Sequence, residues 1–320
     1  MIKSSTGEVC TPNDDIKALD LHGTNALRAK LLQIQADSGT GEEALLAEAE
    51  IAVGVERAEA EQAQQAEIDK AQQALLEFRD YLAQSPGSAA QALPEDDQLV
   101  YNYNPDTQQC EITRLDRAPM VLDISGSGLD GELPLPPQLM VAELNCHTNQ
   151  LTALPKLPTS LTRLNCSSNH LTTLPEVLPP SLTMLRCRNN QLTTLPEVLP
   201  TSLTVLNCGS NQLTKLPEVL PTSLSVLHCA NNQLTTLPEV LPASLTELYC
   251  SGNQLTSLPE VLPTSLTTLH CANNQLRDLP EVLPASLTRL HCSNNPKLRN
   301  NPVAQKALQE LRDRGATVRS

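Results

Sequence analysis

The sequence predicts an α/β-type repeat solenoid, with a parallel β-sheet lining its concave face, preceded by an α-helical N-terminal segment. Three observations predict it. The block LPEVLP recurs every 21 residues, beginning at Leu174, Leu195, Leu216, Leu237, Leu258 and Leu279. A cysteine keeps the same step through Cys166, Cys187, Cys208, Cys229, Cys250, Cys271 and Cys292. Cys146 precedes Cys166 by only 20, because LPKLP there is one residue shorter. An asparagine follows each of these cysteines by three: Asn149, Asn169, Asn190, Asn211, Asn232, Asn253, Asn274 and Asn295. Self-similarity at a fixed short period marks units that cannot bury their apolar side chains alone and stack to share a core.

The unit reads SLTxLxCxxNQLTxLPEVLPx. It fits the leucine-rich repeat pattern L-x-x-L-x-L-x-x-N-x-L, with cysteine in the third apolar place. The L-x-C pair alternates with polar residues, which predicts a short strand with one buried face. The asparagine turns the chain out of the strand, and its amide can bond backbone groups left unpaired there. The next leucine re-enters the core. Two prolines forbid a helix on the outer side, so the return is extended. The expected fold is therefore a leucine-rich repeat horseshoe over residues 119–300, with eight good coils. A degenerate ninth, VLDISGSGLDGELPLPP, precedes them, with Leu122, Ile124 and Leu129 in the apolar places. Terminal coils need covers. Residues 301–320 read as a capping helix in which Asn301 caps, Pro302 opens the first turn and Gly315 ends it. Val303, Ala307, Leu308 and Leu311 are its expected apolar face.

Residues 1–84 read as a helical segment, with helices over 12–36 and 42–84 separated by DSGTG. Leu27, Leu31 and Ile34 share a face of the first. Ile68, Leu75 and Leu82 share a face of the second, beside Phe78. Its middle is rich in Ala, Glu and Gln, which favours helix but offers a thin apolar stripe. Residues 85–118 read as a linker followed by a small hairpin, LVYNYN and CEITRL joined through NPDTQQ.

Composition narrows the function. The net charge of −14 is uneven: residues 1–100 hold 7 Lys/Arg against 19 Asp/Glu, and the rest 15 against 17. Neither part offers a basic stripe, so no nucleic-acid partner is expected. No run approaches the roughly 18 apolar residues of a membrane span. The opening MIKSSTGEVCTPNDD lacks an apolar signal core, so export is expected by a non-Sec route if at all. Four Tyr, one Phe and no Trp are few aromatics for an enzyme of this size. No phosphate-binding loop, H-E-x-x-H, G-x-S-x-G or dinucleotide fingerprint occurs, and no cofactor is expected.

The cysteine column alternates with exposed positions and stands where a buried leucine is usual. It is therefore read as packing, not chemistry. So many unpaired thiols favour a reducing compartment. The residues that vary lie on the solvent side of the strands. Between Leu and Cys the row reads Asn145, Asn165, Arg186, Asn207, His228, Tyr249, His270 and His291. Two residues earlier it reads Glu143, Arg163, Met184, Val205, Val226, Glu247, Thr268 and Arg289. Just after Cys it reads His147, Ser167, Arg188, Gly209, Ala230, Ser251, Ala272 and Ser293. The constant letters build a frame and the variable ones can build an address. Arg186, Arg188, His228, Tyr249, His270 and His291 are the candidate protein-binding residues, since Arg and aromatic-like side chains carry most interface energy. His270 and His291 fall on neighbouring strands, but zinc would need further ligands in tetrahedral reach. Glu247 and His228 stand further off, so no metal site is expected. The repeated Glu176, Glu197, Glu218, Glu239, Glu260 and Glu281 are expected on the outer edge or convex side.

The units LPTSLTRLNCSSNHLTTLPEVLPPSLTMLRCRNNQLTTLP resemble the LPxxLPxSLxxLxxxxNxLxxLP repeats of bacterial secreted effectors. That family holds the YopM-like proteins and the IpaH/SspH ubiquitin ligases. LDISGSGLDGELPLPPQL resembles their entry coil. The likeness spans roughly residues 119–300. It departs in a 21-residue rather than a 20-residue unit and in Cys where Val is common. The ligases carry a large helical domain with a nucleophilic C-x-D cysteine. No C-x-D occurs here, and only 25 residues follow Asn295. The resemblance therefore implies the non-catalytic, YopM-like plan: a scaffold that binds a host protein through its concave face, in the host cytoplasm. Repeat proteins of this kind can join end to end, but the capped ends favour a monomer. The alternatives are a recognition scaffold in the bacterial cytoplasm and a remnant relative of the effector ubiquitin ligases lacking their catalytic domain.

Overall fold

The computed structural model describes residues 42–85, 87, 91–116 and 118–320. The helix expected over 12–36 lies outside them. The described residues up to Gln72, with Asn102–Cys110, form one compact unit. Gln73–Tyr101 with Glu111–Ser320 form a second.

In the first unit, α1 (Glu42–Ala83) begins and runs on into the second. Its exposed faces are tied by i,i+3 and i,i+4 pairs such as Arg57–Glu61 at 2.9 Å and Lys70–Glu67 at 3.3 Å, each worth a few tenths of a kcal/mol. The tip of a hairpin completes this unit: β1 (Leu99–Asn104) pairs with β2 (Gln109–Arg114). Asn104 Oδ1 accepts from the backbone of Asp106 and Thr107 and so fixes the turn.

The second unit is the solenoid. A ten-stranded parallel sheet runs β3 (Met120–Asp123), β5 (Val141–Asn145), β7 (Arg163–Asn165), β8 (Met184–Arg186), β9 (Val205–Asn207), β10 (Val226–His228), β11 (Glu247–Tyr249), β12 (Thr268–His270), β13 (Arg289–His291) and β14 (Thr317–Arg319). Each strand pairs with the next in the register set by the repeat, so Leu185, Leu206, Leu227, Leu248, Leu269 and Leu290 stand side by side. A short pair, β4 (Asp130–Glu132) with β6 (Gln150–Ala153), links the two first coils. This is the leucine-rich repeat horseshoe, with the parallel sheet on its concave face. The degenerate ninth coil is part of it, with Leu122, Ile124 and Leu129 all buried.

Three ladders run through the coils. The asparagines are buried, and each joins two coils. Asn232 Oδ1 accepts from Leu213 N at 3.0 Å, while Nδ2 donates to Cys208 O and Cys229 O, each at 3.1 Å. The serine hydroxyls of Ser202, Ser223, Ser244, Ser265 and Ser286 lie 2.7–2.8 Å from carbonyls of the preceding coil. The cysteines from Cys146 to Cys271 have no exposed surface. Burial pushes their thiols up, Cys208 to about 12, and Cys292 at the end of the stack to about 11. Thiolates are the reactive form. The folded protein should therefore leave seven or more cysteines unreacted with a thiol reagent at pH 8 and release them together on unfolding. A count of modified thiols before and after urea checks this.

One backbone position was not anticipated. The second residue after each cysteine is left-handed: Thr148, Ser168, Asn189, Ser210, Asn231, Gly252, Asn273 and Asn294, with φ between 53° and 68°. That explains the preference for Asn, Ser and Gly there. Thr148, β-branched at φ 57°, is the misfit. Thr148→Asn should stabilise the protein by about 1 kcal/mol, read as a higher urea midpoint.

Both ends of the solenoid are covered. At the N-terminal end Leu75, Phe78 and Leu82 of α1 are buried, and Tyr81 Oη donates to Asp130 O at 2.9 Å. Residues 91–98 are part of this cover. Leu93 is buried, and Arg79 Nη2 donates to Pro94 O at 2.6 Å and to Asp96 at 2.8 Å. Ile112 N and O bond Gln138 O and Met140 N, which attaches β2 to the first coils. At the other end, α2 (Pro296–Arg299) leads to α3 (Pro302–Asp313), whose N-cap Asn301 accepts from Val303 N and Ala304 N. The buried face of α3 is Ala304, Leu308 and Leu311. Val303, expected inside, is 76% exposed, because Ala304 takes the core-facing position. Beyond Gly315 (φ 86°) the chain forms β14, a tenth strand that the capping-helix reading omitted.

Candidate protein-binding face

The six candidate residues all lie on the solvent side of the sheet. Strand register places Arg186 beside Asn207, then His228, Tyr249, His270 and His291 on consecutive strands. The last four form a continuous ring ladder. The His228 and Tyr249 rings stack at 3.8 Å with an interplanar angle of 13°. Tyr249 meets His270 edge-on at 4.8 Å, and His270 meets His291 edge-on at 5.6 Å. Such pairs gain about 0.5–1.5 kcal/mol beyond area burial, and they fix ring orientation before any partner arrives. Arg186 is not part of the ladder. It stands two strands from His228, about 10 Å away. Arg188, one residue past Cys187, is close enough to His228 to act on its charge.

Tyr249 Oη donates to Glu247 at 2.7 Å. Burial, this hydrogen bond and the carboxylate's charge all raise the Tyr249 phenol above its ordinary value. His228 and His270 are half-buried, and desolvation lowers both below the usual imidazole range. Arg188 and His270 push His228 further down, and Glu247 opposes them. His291, Arg289 and Arg319 push His270 down, against Glu247. His291 itself lies 2.8 Å from Ser293 Oγ.

A histidine with a lowered folded-state pKa takes up a proton more readily when unfolded. Between that folded value and about 6.5, stability therefore rises with pH, and it falls as pH drops through this window. His228→Gln/His270→Gln should flatten the decline in urea midpoint from pH 6.5 to 5.

Sequence reasoning missed two features of the solenoid's surface, one on each side. Arg319 on β14 extends the ring row by one place, in register with His291. Its signal was the alternation Thr317-Val318-Arg319 after Gly315. The second is on the opposite side. Val177, Val198, Val219, Val240, Val261 and Val282 are 75–81% exposed, each beside the exposed Glu of the same LPEVLP block. A shallow groove lined by Leu195, Val198, Leu216 and Val219 with Glu197 and Glu218 shows the character of this outer column. Among the described residues no group of three or more His, Cys, Asp or Glu is placed to hold a metal ion, and no helix is long and apolar enough to cross a membrane.

Family models of leucine-rich repeats match residues 243–285 (Leucine Rich repeats, 2 copies) and 160–180 (Leucine Rich Repeat). No curated protein sequence matches the chain. Among solved structures, the leucine-rich effector protein YopM from Yersinia pestis is 31% identical with a TM-score of 0.50, over 68% of this chain and 69% of that one. YopM from Yersinia enterocolitica is 35% identical with a TM-score of 0.42, over 50% of this chain. This chain spans 38% of that protein's length. The leucine-rich repeat domain of a Shigella effector is 30% identical with a TM-score of 0.46, over 62% of this chain and 83% of that one. With 31% identity across more than two thirds of the Yersinia pestis protein and its repeat architecture, the chain belongs to the YopM-like family of bacterial leucine-rich repeat effectors.

Proposed function

We propose that this protein is a non-catalytic effector, delivered by a non-Sec route into the host cytoplasm, where its concave face holds a host protein. The observation that carries the reading is the contrast between frame and face. Leu, Cys and Asn positions barely change from coil to coil, while the solvent side of the same strands assembles Arg186, Arg188 and the ladder His228–Tyr249–His270–His291. Rigid rings and arginines on a preorganised sheet lose little entropy on binding. The kinship with proteins described as effectors supports the host setting.

The test is capture from host-cell lysate by the immobilised wild-type protein and by a variant with His228, Tyr249, His270 and His291 all changed to Ala. Circular dichroism establishes that the variant is folded. A protein retained by the first and lost by the second supports the reading. Equal retention by both assigns binding to another surface. Partners found only in bacterial lysate would place the scaffold in the bacterial cytoplasm and sink the host reading.

A further inference from the structure

Charge on the solenoid is partitioned between its two sides. The outer column repeats an exposed Glu in each LPEVLP block, six in all from Glu176 to Glu281. The inner face over β8–β14 is the reverse. Arg186, Arg188, Arg289 and Arg319 are exposed there around three histidines. Its nearest carboxylate, Glu247, is already engaged by Tyr249 Oη. A depression of about 230 Å³ opens in this face, lined by Arg188, His228 and His270 with the small residues Gly209, Ala230 and Ser251. Small side chains between cations let a partner's backbone approach closely. In a protein of net charge −14, a cationic inner face stands out as a charge-selecting surface, since complementary potentials both steer a partner and exclude wrong ones.

We propose that the segment this face accepts is an acidic stretch of polypeptide, rich in Asp or Glu, laid across the strands from Arg188 to Arg319. The proposal deepens the concave-face binding reading and rests on it. From β8 to β14 there are six strand steps, about 29 Å, which an extended chain of roughly nine residues spans. Carboxylates held there favour the charged imidazolium over the neutral ring. His228, stacked on Tyr249, is placed to gain a cation–π contact when it charges. The groups facing His228 are Arg188, Glu247 and His270. Those facing His270 are His291, Arg289, Arg319 and Glu247. In each set cations outnumber the carboxylate once the histidines charge, so an added anion relieves repulsion. Binding is then coupled to proton uptake and tightens as pH falls from 7.5 towards 6.

The test uses fluorescein-labelled decaglutamate, with decalysine as the opposite-charge control, titrated against the full chain at low ionic strength. Imidazole NMR of the His228 and His270 rings is followed in parallel. Decaglutamate should bind, its affinity should fall with added salt, and both ring titrations should move upward. A rise of half a unit at one ring corresponds to roughly threefold tighter binding at the lower pH. The exposed-residue variant Arg188→Gln/Arg289→Gln/Arg319→Gln should lose about tenfold in affinity with an unchanged urea midpoint. Absence of decaglutamate binding, unmoved ring titrations, or preferential decalysine binding at the ladder would overturn the proposal. Those outcomes leave concave-face binding to be judged by the capture experiment alone. A partner lost by the ladder variant together with no decaglutamate binding means that the face is right and the acidic class wrong.

Discussion

Asn232→Ala should destabilise the solenoid by about 3 kcal/mol, far more than the loss of one polar side chain suggests. The side chain is buried, and its Oδ1 is the acceptor for Leu213 N in the preceding coil. Removing it leaves that buried N–H unsatisfied, which alone costs about 1–3 kcal/mol. The three carbonyls it serves are less exposed to loss, and the weakest-held, Ala230 O, keeps its bond from Ser210 N at 2.8 Å. Cys208 O also accepts from Asn211 at 3.0 Å and Cys229 O from Asn253 at 3.0 Å, so each keeps one partner. Their contribution is therefore a further ~1 kcal/mol or so, not a full orphaning. Asn232→Asp should be worse than Ala, because it sets a carboxylate against those carbonyls with no donor to offer. The neighbour Gln233, exposed, should tolerate Ala within ~0.5 kcal/mol. Urea midpoints of the three variants give the ranking. A midpoint for Asn232→Ala equal to that of Gln233→Ala would refute the account of the ladder.

The second large effect is expected at the C-terminal cover. Leu308 and Leu311 of α3 are fully buried, and β14 adds the final strand, with Cys292 N donating to Arg319 O at 2.8 Å. Leu308→Ala should cost about 2–5 kcal/mol by transfer and cavity terms. Because coils touch only their neighbours, the damage should be graded along the stack. Amide exchange should accelerate first in β12–β14 and last near β7. Uniform acceleration across all strands would show that the sheet opens as one unit and that the cover has no local role.

These expectations also show which parts of the fold were readable in advance. A strict 21-residue step fixes strand register, since one slip would misplace Leu, Cys and Asn together. The buried cysteines and the solvent-facing row follow from the same step by simple alternation. The left-handed position after Cys was spelled out by Asn, Ser and Gly, yet small polar residues there also suit an ordinary turn, so the letters alone did not separate the two. The direction of the valines was not legible in the letters. In LPEVLP the prolines force an extended path that turns Leu174 and Leu178 inward and Val177 outward. An apolar letter was no guide to burial where the backbone, not hydropathy, sets direction. The ring ladder was legible as residue types on neighbouring strands. Its stacking, and the arrival of Arg319 from a strand beyond the cap, depend on the three-dimensional fold and not on the repeat letters.

Both sides of the solenoid now offer a surface to a partner: rings and cations inside, valines and glutamates outside. The measurement that decides between them is photo-crosslinking in host cytosol, with a benzophenone amino acid placed at Tyr249 in one sample and at Val240 in another. The account predicts a discrete crosslinked partner from position 249 and none from position 240. A partner trapped from 240 and not from 249 would move binding to the outer column and contradict the concave-face reading.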